Sequence, residues 1–224
     1  MTSTDEPTAG KPRRGPVSTP VPAPAATLTA RGQRTRRALL DAGRRIFERD
    51  GYHDARIVDV ATEAGCAVGS FYNYFDSKEE LFKVLLIELE GEVYREPARL
   101  PPDAAPIDRL RETNRLYFES FRRNSAFWAV VEEAGLQSKE ARQLLNDRHH
   151  YYRTRTERAL ALWQTQGMIP PEVNLRFAST ALGAMTERCA YLWFVLGETV
   201  DVDEAVEEIT RLWADALKLD DGRA

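Results

Sequence analysis

One stretch restricts what this chain can fold into more than any other: Ile57 to Phe75, IVDVATEAGCAVGSFYNYF, where two short helical patterns meet at a glycine. Ile57, Val60 and Ala61 recur at helical spacing, so one face can be buried while Asp59, Thr62 and Glu63 stay in water. Gly65 follows the last periodic residue, where a left-handed conformation ends a helix without the steric cost of a Cβ. Cys66 then offers a small apolar plug for the corner. The pattern predicts a second helix from near Ala67 to about Tyr74. Its outer surface (Val68, Gly69, Ser70, Tyr72 and Asn73) is thin and nearly uncharged, while Phe71 and Phe75, four apart, anchor the inner one. Such a helix fits a DNA major groove.

The flanks extend the pattern. Gly51-Tyr52, Ile57 to Ala61, Ala64-Gly65, Gly69-Ser70, Phe71-Tyr72-Asn73-Tyr74-Phe75 and Ser77-Lys78-Glu79 follow in an order that resembles the DNA-binding domain of the TetR family of bacterial transcription regulators. The resemblance implies an all-α chain of about nine helices, with an N-terminal three-helix helix-turn-helix domain and a larger C-terminal helical domain for ligand binding and dimerisation. We expect a disordered tail over residues 1–30, the DNA-binding domain over 31–76, the regulatory and dimerisation domain over 77–219, and a second tail over 220–224. Within the regulatory domain, 77–94 is the helix that joins head to body in the family, and so the candidate lever.

Charge supports the same division. The net charge of -4 is unevenly spread: residues 11–37 carry Lys11, Arg13, Arg14, Arg31, Arg34, Arg36 and Arg37 with no acid. A basic arm on an acidic body gives a local field suited to DNA, so the overall acidity is no objection. Residues 1–30 hold six of the 12 prolines and few apolar side chains, too little to offset the entropy of ordering. With 43% apolar residues, the remainder can build a substantial core. No run of 18 apolar residues and no apolar signal core is present, which places the chain in the cytoplasm. Cys66 and Cys189 lie far apart and read as buried small apolar residues. Neither a cofactor nor a metal is expected, since His149 and His150 are adjacent and point about 100° apart on a helix.

Leu39, Ala42, Ile46 and Phe47 give a first helix from Gln33 to about Asp50, closed by Gly51. Resemblance places Arg31, Arg34 and Arg36 where an arm meets the DNA backbone or minor groove. The chain departs from the family at Ala55 and Arg56, where a small hydroxyl residue usually caps the second helix, leaving Asp54 as the candidate cap. Arg56 then offers a charge-assisted phosphate contact in place of the hydroxyl. A second departure is Val68, which can meet a thymine methyl but cannot read guanine by hydrogen bonds. By resemblance Tyr72 and Tyr74 grip phosphates, leaving Val68, Ser70 and Asn73 as base readers, with Gly69 among the DNA-facing residues. Ser77 and Glu80 have capping-box spacing at the next helix, and Lys78 adds charge for a phosphate there.

Beyond a proline-rich break at 97–106, helices are expected near 106–123, 125–136, 138–166, 172–197 and 202–219. The fourth of these has two apolar stripes, one through Leu182 and Met185, the other through Phe177, Ala181, Ala184 and Tyr191. The second stripe implies a partner. Together with Val206, Ile209 and Trp213 of the last helix it resembles the two C-terminal helices that build a four-helix bundle across the TetR dimer axis. The body also supplies aromatic and orienting residues for a pocket: Phe118, Phe121, Phe127, Trp128, Tyr151, Tyr152, Arg155, Trp163, Met185 and Arg188. The sequence carries no nucleophile–base pair or phosphate loop, so an enzyme is not expected. The reading is therefore a homodimeric repressor that leaves a palindromic operator when a small, largely apolar effector binds. The alternative is a DNA-binding dimer whose body is only a scaffold.

Overall fold

A computed structural model describes residues 28–95, 100–101 and 104–219, without the side chains of 92–95. The expected tails at 1–30 and 220–224, and part of the break at 97–106, therefore lie largely or wholly outside the described residues. Among the described residues the secondary structure is all helix: α1 (Ala30–Asp54), α2 (Ile57–Glu63), α3 (Val68–Phe71), α4 (Lys78–Arg95), α5 (Pro106–Arg123), α6 (Ser125–Gln137), α7 (Lys139–Thr165), α8 (Leu175–Phe194) and α9 (Val202–Leu217).

Local chemistry sets the boundaries. Ser138, Asn174 and Asp201 each cap a helix by accepting a backbone N–H three residues on, and Pro106 opens α5, where its missing N–H costs nothing. The Asn174 cap moves the start of α8 to residue 175, later than periodicity alone indicates. Gly51 (φ 79°, ψ 175°) breaks the α1 dihedrals as expected, but helical bonding resumes to Asp54. Gly65 (φ 69°) closes α2 with the paired bonds of a Schellman motif: Cys66 N–H to the Ala61 carbonyl at 2.9 Å, and Gly65 N–H to Thr62 at 3.0 Å. The second helix of this pair is shorter than predicted, four residues followed by turns in which Asn73 N–H reaches Ser70 and Tyr74 N–H reaches Phe71. Asp54 does not cap α2; Arg56 occupies the cap position and makes no side-chain bond there.

One hydrophobic core runs from Leu39 to Leu217 and crosses the expected boundary at residue 76. In the head, Phe71 and Phe75 are buried and packed together, centroids 5.5 Å apart, beneath α3. α1 packs chiefly along α6, and α5 along α9. The last pairing corrects part of the predicted dimer face. Val206, Ile209 and Trp213 are 0%, 3% and 7% exposed because α9 turns that stripe into its own chain. Trp213 Nε1–H donates to Thr186 Oγ1 of α8 at 2.9 Å, and Asn114 of α5 donates to Thr210 at 3.1 Å. The buried face of α8 is Ser179, Leu182, Thr186 and Ala190, the two hydroxyls bonding back to carbonyls four residues earlier. Phe177 remains 72% exposed, with Ala181 and Ala184 also outward.

Candidate nucleic-acid interface and ligand cavity

The outer surface of α3 is arranged as the sequence predicts. Val68, Gly69, Tyr72 and Asn73 are exposed and Ser70 is half-buried, while Phe71 and Phe75 face inward. A Cβ on Gly69 would meet nothing within 4 Å, so the surface there is open. The first turn of α1 abuts this element, with the Tyr74 hydroxyl 3.6 Å from the position a Cβ would take on Gly32. Tyr74 is accordingly half-buried rather than fully presented.

Ion pairing divides the arginines of the head into two groups. Arg37, Arg44, Arg45 and Arg49 each pair with a carboxylate. Arg31, Arg34 and Arg56 are exposed and have no ion pair among the described residues, which leaves three cations open to solvent in the head. Arg36 is drawn inward: its guanidinium lies 5.4 Å over the Phe75 ring. The basic residues at 11–14 lie outside the described residues.

Lys78 does something other than what its position at a helix start implies. Its Nζ donates to the carbonyls of Tyr52 (2.8 Å) and His53 (3.0 Å) and sits 4.9 Å over the Tyr52 ring. On the other side of the same peptides, Glu133 of α6 accepts from Tyr52 N–H (3.0 Å) and His53 N–H (3.2 Å). The Gly51 kink makes this possible, since it aims those N–H groups out of the helix. A Cβ on Gly51 would lie 2.7 Å from the Glu133 carboxylate. Arg44 adds a second tie, donating to Asn124 at 2.6 Å and covering the Phe127 ring at 5.6 Å. The head is thus clasped to both α4 and α6, and Lys78 is a brace rather than a free phosphate ligand.

α6 also forms one wall of a half-open cavity of about 230 Å³ between α6, α7 and α8. Its apolar lining is Phe121, Trp128, Val131, Leu145, Ala184 and Tyr191; its polar lining is Glu132, Arg148, His149, Glu187 and Arg188. Of the predicted pocket residues, only Phe121, Trp128 and Arg188 meet here. Phe118 is buried against Trp193 and Phe194, and Phe127 against Phe82 under the head. Tyr151, Tyr152, Arg155, Trp163 and Met185 do not line it, and Tyr151 and Arg155 face outward. Ala184 and Tyr191, assigned to the dimer face, line the cavity instead.

The residue that sequence reasoning missed is Arg148. Its side chain is 10% exposed, 2.5 Å from Glu90 of α4 and 3.0 Å from Glu187 of α8, and lies over Trp128 at 4.8 Å. The Glu90 contact is an ion pair whose angle falls outside hydrogen-bond geometry. Burial works against the Arg148 charge, but the two carboxylates outweigh it and hold its pKa above the ordinary arginine value. Burial pushes the Glu90 carboxyl upward, more than Arg148 lowers it. The spacing from Ala141 through Leu144 and Leu145 to Arg148 marks an inner stripe of α7, the one signal that sets this arginine apart from its charged neighbours. Cys66 and Cys189, predicted buried, are half-buried and unpaired.

Residues 39–85 match the family model described as "Bacterial regulatory proteins, tetR family". The HTH-type transcriptional regulator EthR of Mycobacterium tuberculosis is 26% identical over 200 residues, covering 84% of this chain and 92% of that protein. UidR of Escherichia coli K12 is 23% identical over 163 residues, 71% and 81% of the two chains. Among solved structures, a TetR-family regulator from Syntrophomonas wolfei superposes with a TM-score of 0.71 at 22% identity over 82% of this chain and 95% of that one. FadR of Bacillus subtilis, solved in complex with stearoyl-CoA, gives 0.69 at 20% identity over 80% and 98%. The family model lies on the helix-turn-helix and the relatives align through the body, so residues 39–85 match a TetR-type DNA-binding domain and the chain as a whole is similar to TetR-family transcription regulators.

Proposed function

We propose that this regulator is a non-enzymatic, cytoplasmic repressor that binds a palindromic operator as a homodimer and releases it when a small ligand enters the cavity. The observation that carries the reading is the double role of α6. Trp128, Val131 and Glu132 line the cavity, and the next residue, Glu133, holds the α1 kink. An occupant that displaces α6 therefore displaces the head. A relative of the same fold solved with stearoyl-CoA supports a body able to hold a small molecule, without naming the occupant here. A typical coupling of about 1–3 kcal/mol changes operator affinity roughly 5- to 150-fold.

In this proposal α3 enters the major groove with Val68, Gly69, Ser70 and Asn73 towards the bases and Tyr72 and Tyr74 towards phosphates, while Arg31, Arg34 and Arg56 supply charge. The bare stripe of Phe177 and Ala181 on α8 meets a second copy, which sets two α3 helices against successive groove faces about 34–36 Å apart. Selecting bound duplexes from a random library tests this directly. A palindrome with half-sites spaced by one helical turn is the expected product; enrichment of an isolated half-site, or of nothing, overturns the reading.

A further inference from the structure

We propose that the cavity is completed by a second copy of this chain, whose own α8 closes the mouth, so that the ligand site is enclosed only in the dimer. The assignment rests on the homodimer of the reading above and deepens it.

Its basis is that one face of α8 belongs to two features at once. Phe177, Ala181, Ala184 and Arg188 recur at alternating spacings of four and three, which aligns them on one side of the helix, and all four are exposed. Ala184 and Arg188 also line the cavity, followed along the same side by the half-buried Tyr191. The cavity therefore opens on the bare stripe. Its mouth lies on the C-terminal half of that face, while the N-terminal half presents Phe177, 72% exposed, to solvent.

The two halves complement each other. Phe177 and Tyr191 stand seven residues, about two turns, to either side of Ala184. An antiparallel pair of α8 helices crossing on a two-fold axis at Ala184 thus brings Phe177 of the partner subunit level with Tyr191, over the mouth, and the reciprocal contact closes the second cavity. The small side chains of Ala181 and Ala184 let the two backbones approach at the crossing. Charge agrees with this occupant. Residues 177–186 include no charged side chain, so two copies of the stripe meet without repulsion. At the mouth, Arg188 and Glu132 already stand 3.8 Å apart, and an uncharged lid lies over that pair without stranding either charge. An occupant enclosed in this way strengthens the dimer by the same factor as the dimer strengthens its binding.

The test needs no ligand. In a chain carrying Cys66→Ala and Cys189→Ala, Leu145→Cys puts a thiol on the cavity wall, and Leu136→Cys puts one at an exposed position of α6 as a control. Each is labelled with fluorescein maleimide beside its Phe177→Glu and Ala181→Glu derivatives, with sedimentation and a thermal melt on every sample. The cavity thiol should react at least about tenfold more slowly in the dimer than in the two derivatives, and more slowly still as chain concentration rises, because only dissociated chains are open. The control thiol should react alike in all three. A dimer whose cavity thiol labels as fast as that of the derivatives, or a control thiol slowed as much as the cavity one, overturns the closure and leaves the homodimer standing. Derivatives that stay dimeric remove the stripe from the interface, and the closure with it. A parent chain that sediments as a monomer overturns the homodimer and the closure together.

Discussion

Lys78 shows how one residue's role depends on partners that are distant in sequence. From its place beside Ser77 and Glu79 it reads as a cation at a helix start, ready for a phosphate. In the fold its ammonium is occupied by the Tyr52 and His53 carbonyls, 26 and 25 residues away. Arg56 has the opposite history: its cap position leaves it exposed and without an ion pair among the described residues. The two therefore separate in one experiment. Arg56→Ala should flatten the salt dependence of operator binding by about one unit of slope and cost little thermal stability. Lys78→Met should lower Tm and leave the slope unchanged. A slope that responds to Lys78 and not to Arg56 would reverse these assignments. The outer residues of α3 were legible from sequence because solvent exposure follows from helical spacing alone; Lys78 was not, because its acceptors come from the other end of α1.

At the scale of elements, the body helices were legible to within a few residues, since Pro106, Gly167, Gly197 and the capping side chains punctuate them. Which face each helix buries was less so. α9 turns Val206, Ile209 and Trp213 inward against α5 and α8, and the hydroxyls of Ser179 and Thr186 lie on the buried side of α8, where apolar counting does not look. The α4–α7 joint is the clearest case. Glu90 is held above its usual carboxyl range by burial, despite Arg148. Folding thus disfavours its ionised form: there is no penalty below the unfolded pKa, the penalty grows as pH rises from there to the folded pKa, and it is complete above. Glu90→Gln should therefore raise Tm at neutral pH, by about 2–4 °C for each kcal/mol recovered, with the gain fading towards the acid range. A lower Tm at neutral pH would mean that the ion pair outweighs its desolvation.

For the whole molecule, the helix-turn-helix head and the α6 wall of the cavity are one packed unit, clasped at Gly51 by Glu133 and Lys78. The sequence presented Gly51 as a helix end, and nothing near it announced an acceptor 81 residues beyond Tyr52. The second whole-molecule feature is the outward stripe of α8. Phe177→Glu places a charge on a side chain that is 72% exposed in the single chain, so it should leave the melt near native while converting the dimer to monomer by sedimentation and weakening operator binding more than tenfold. An unchanged sedimentation coefficient would contradict the proposed dimer. The route from cavity to DNA is tested most directly by a double-mutant cycle in operator affinity. Leu145→Trp drives an indole into the cavity from α7, and Glu133→Gln weakens the clasp. In the native background, Leu145→Trp should weaken operator binding by roughly 5- to 150-fold, and beside Glu133→Gln its effect should largely disappear. Equal losses in the two backgrounds would contradict α6 as the carrier.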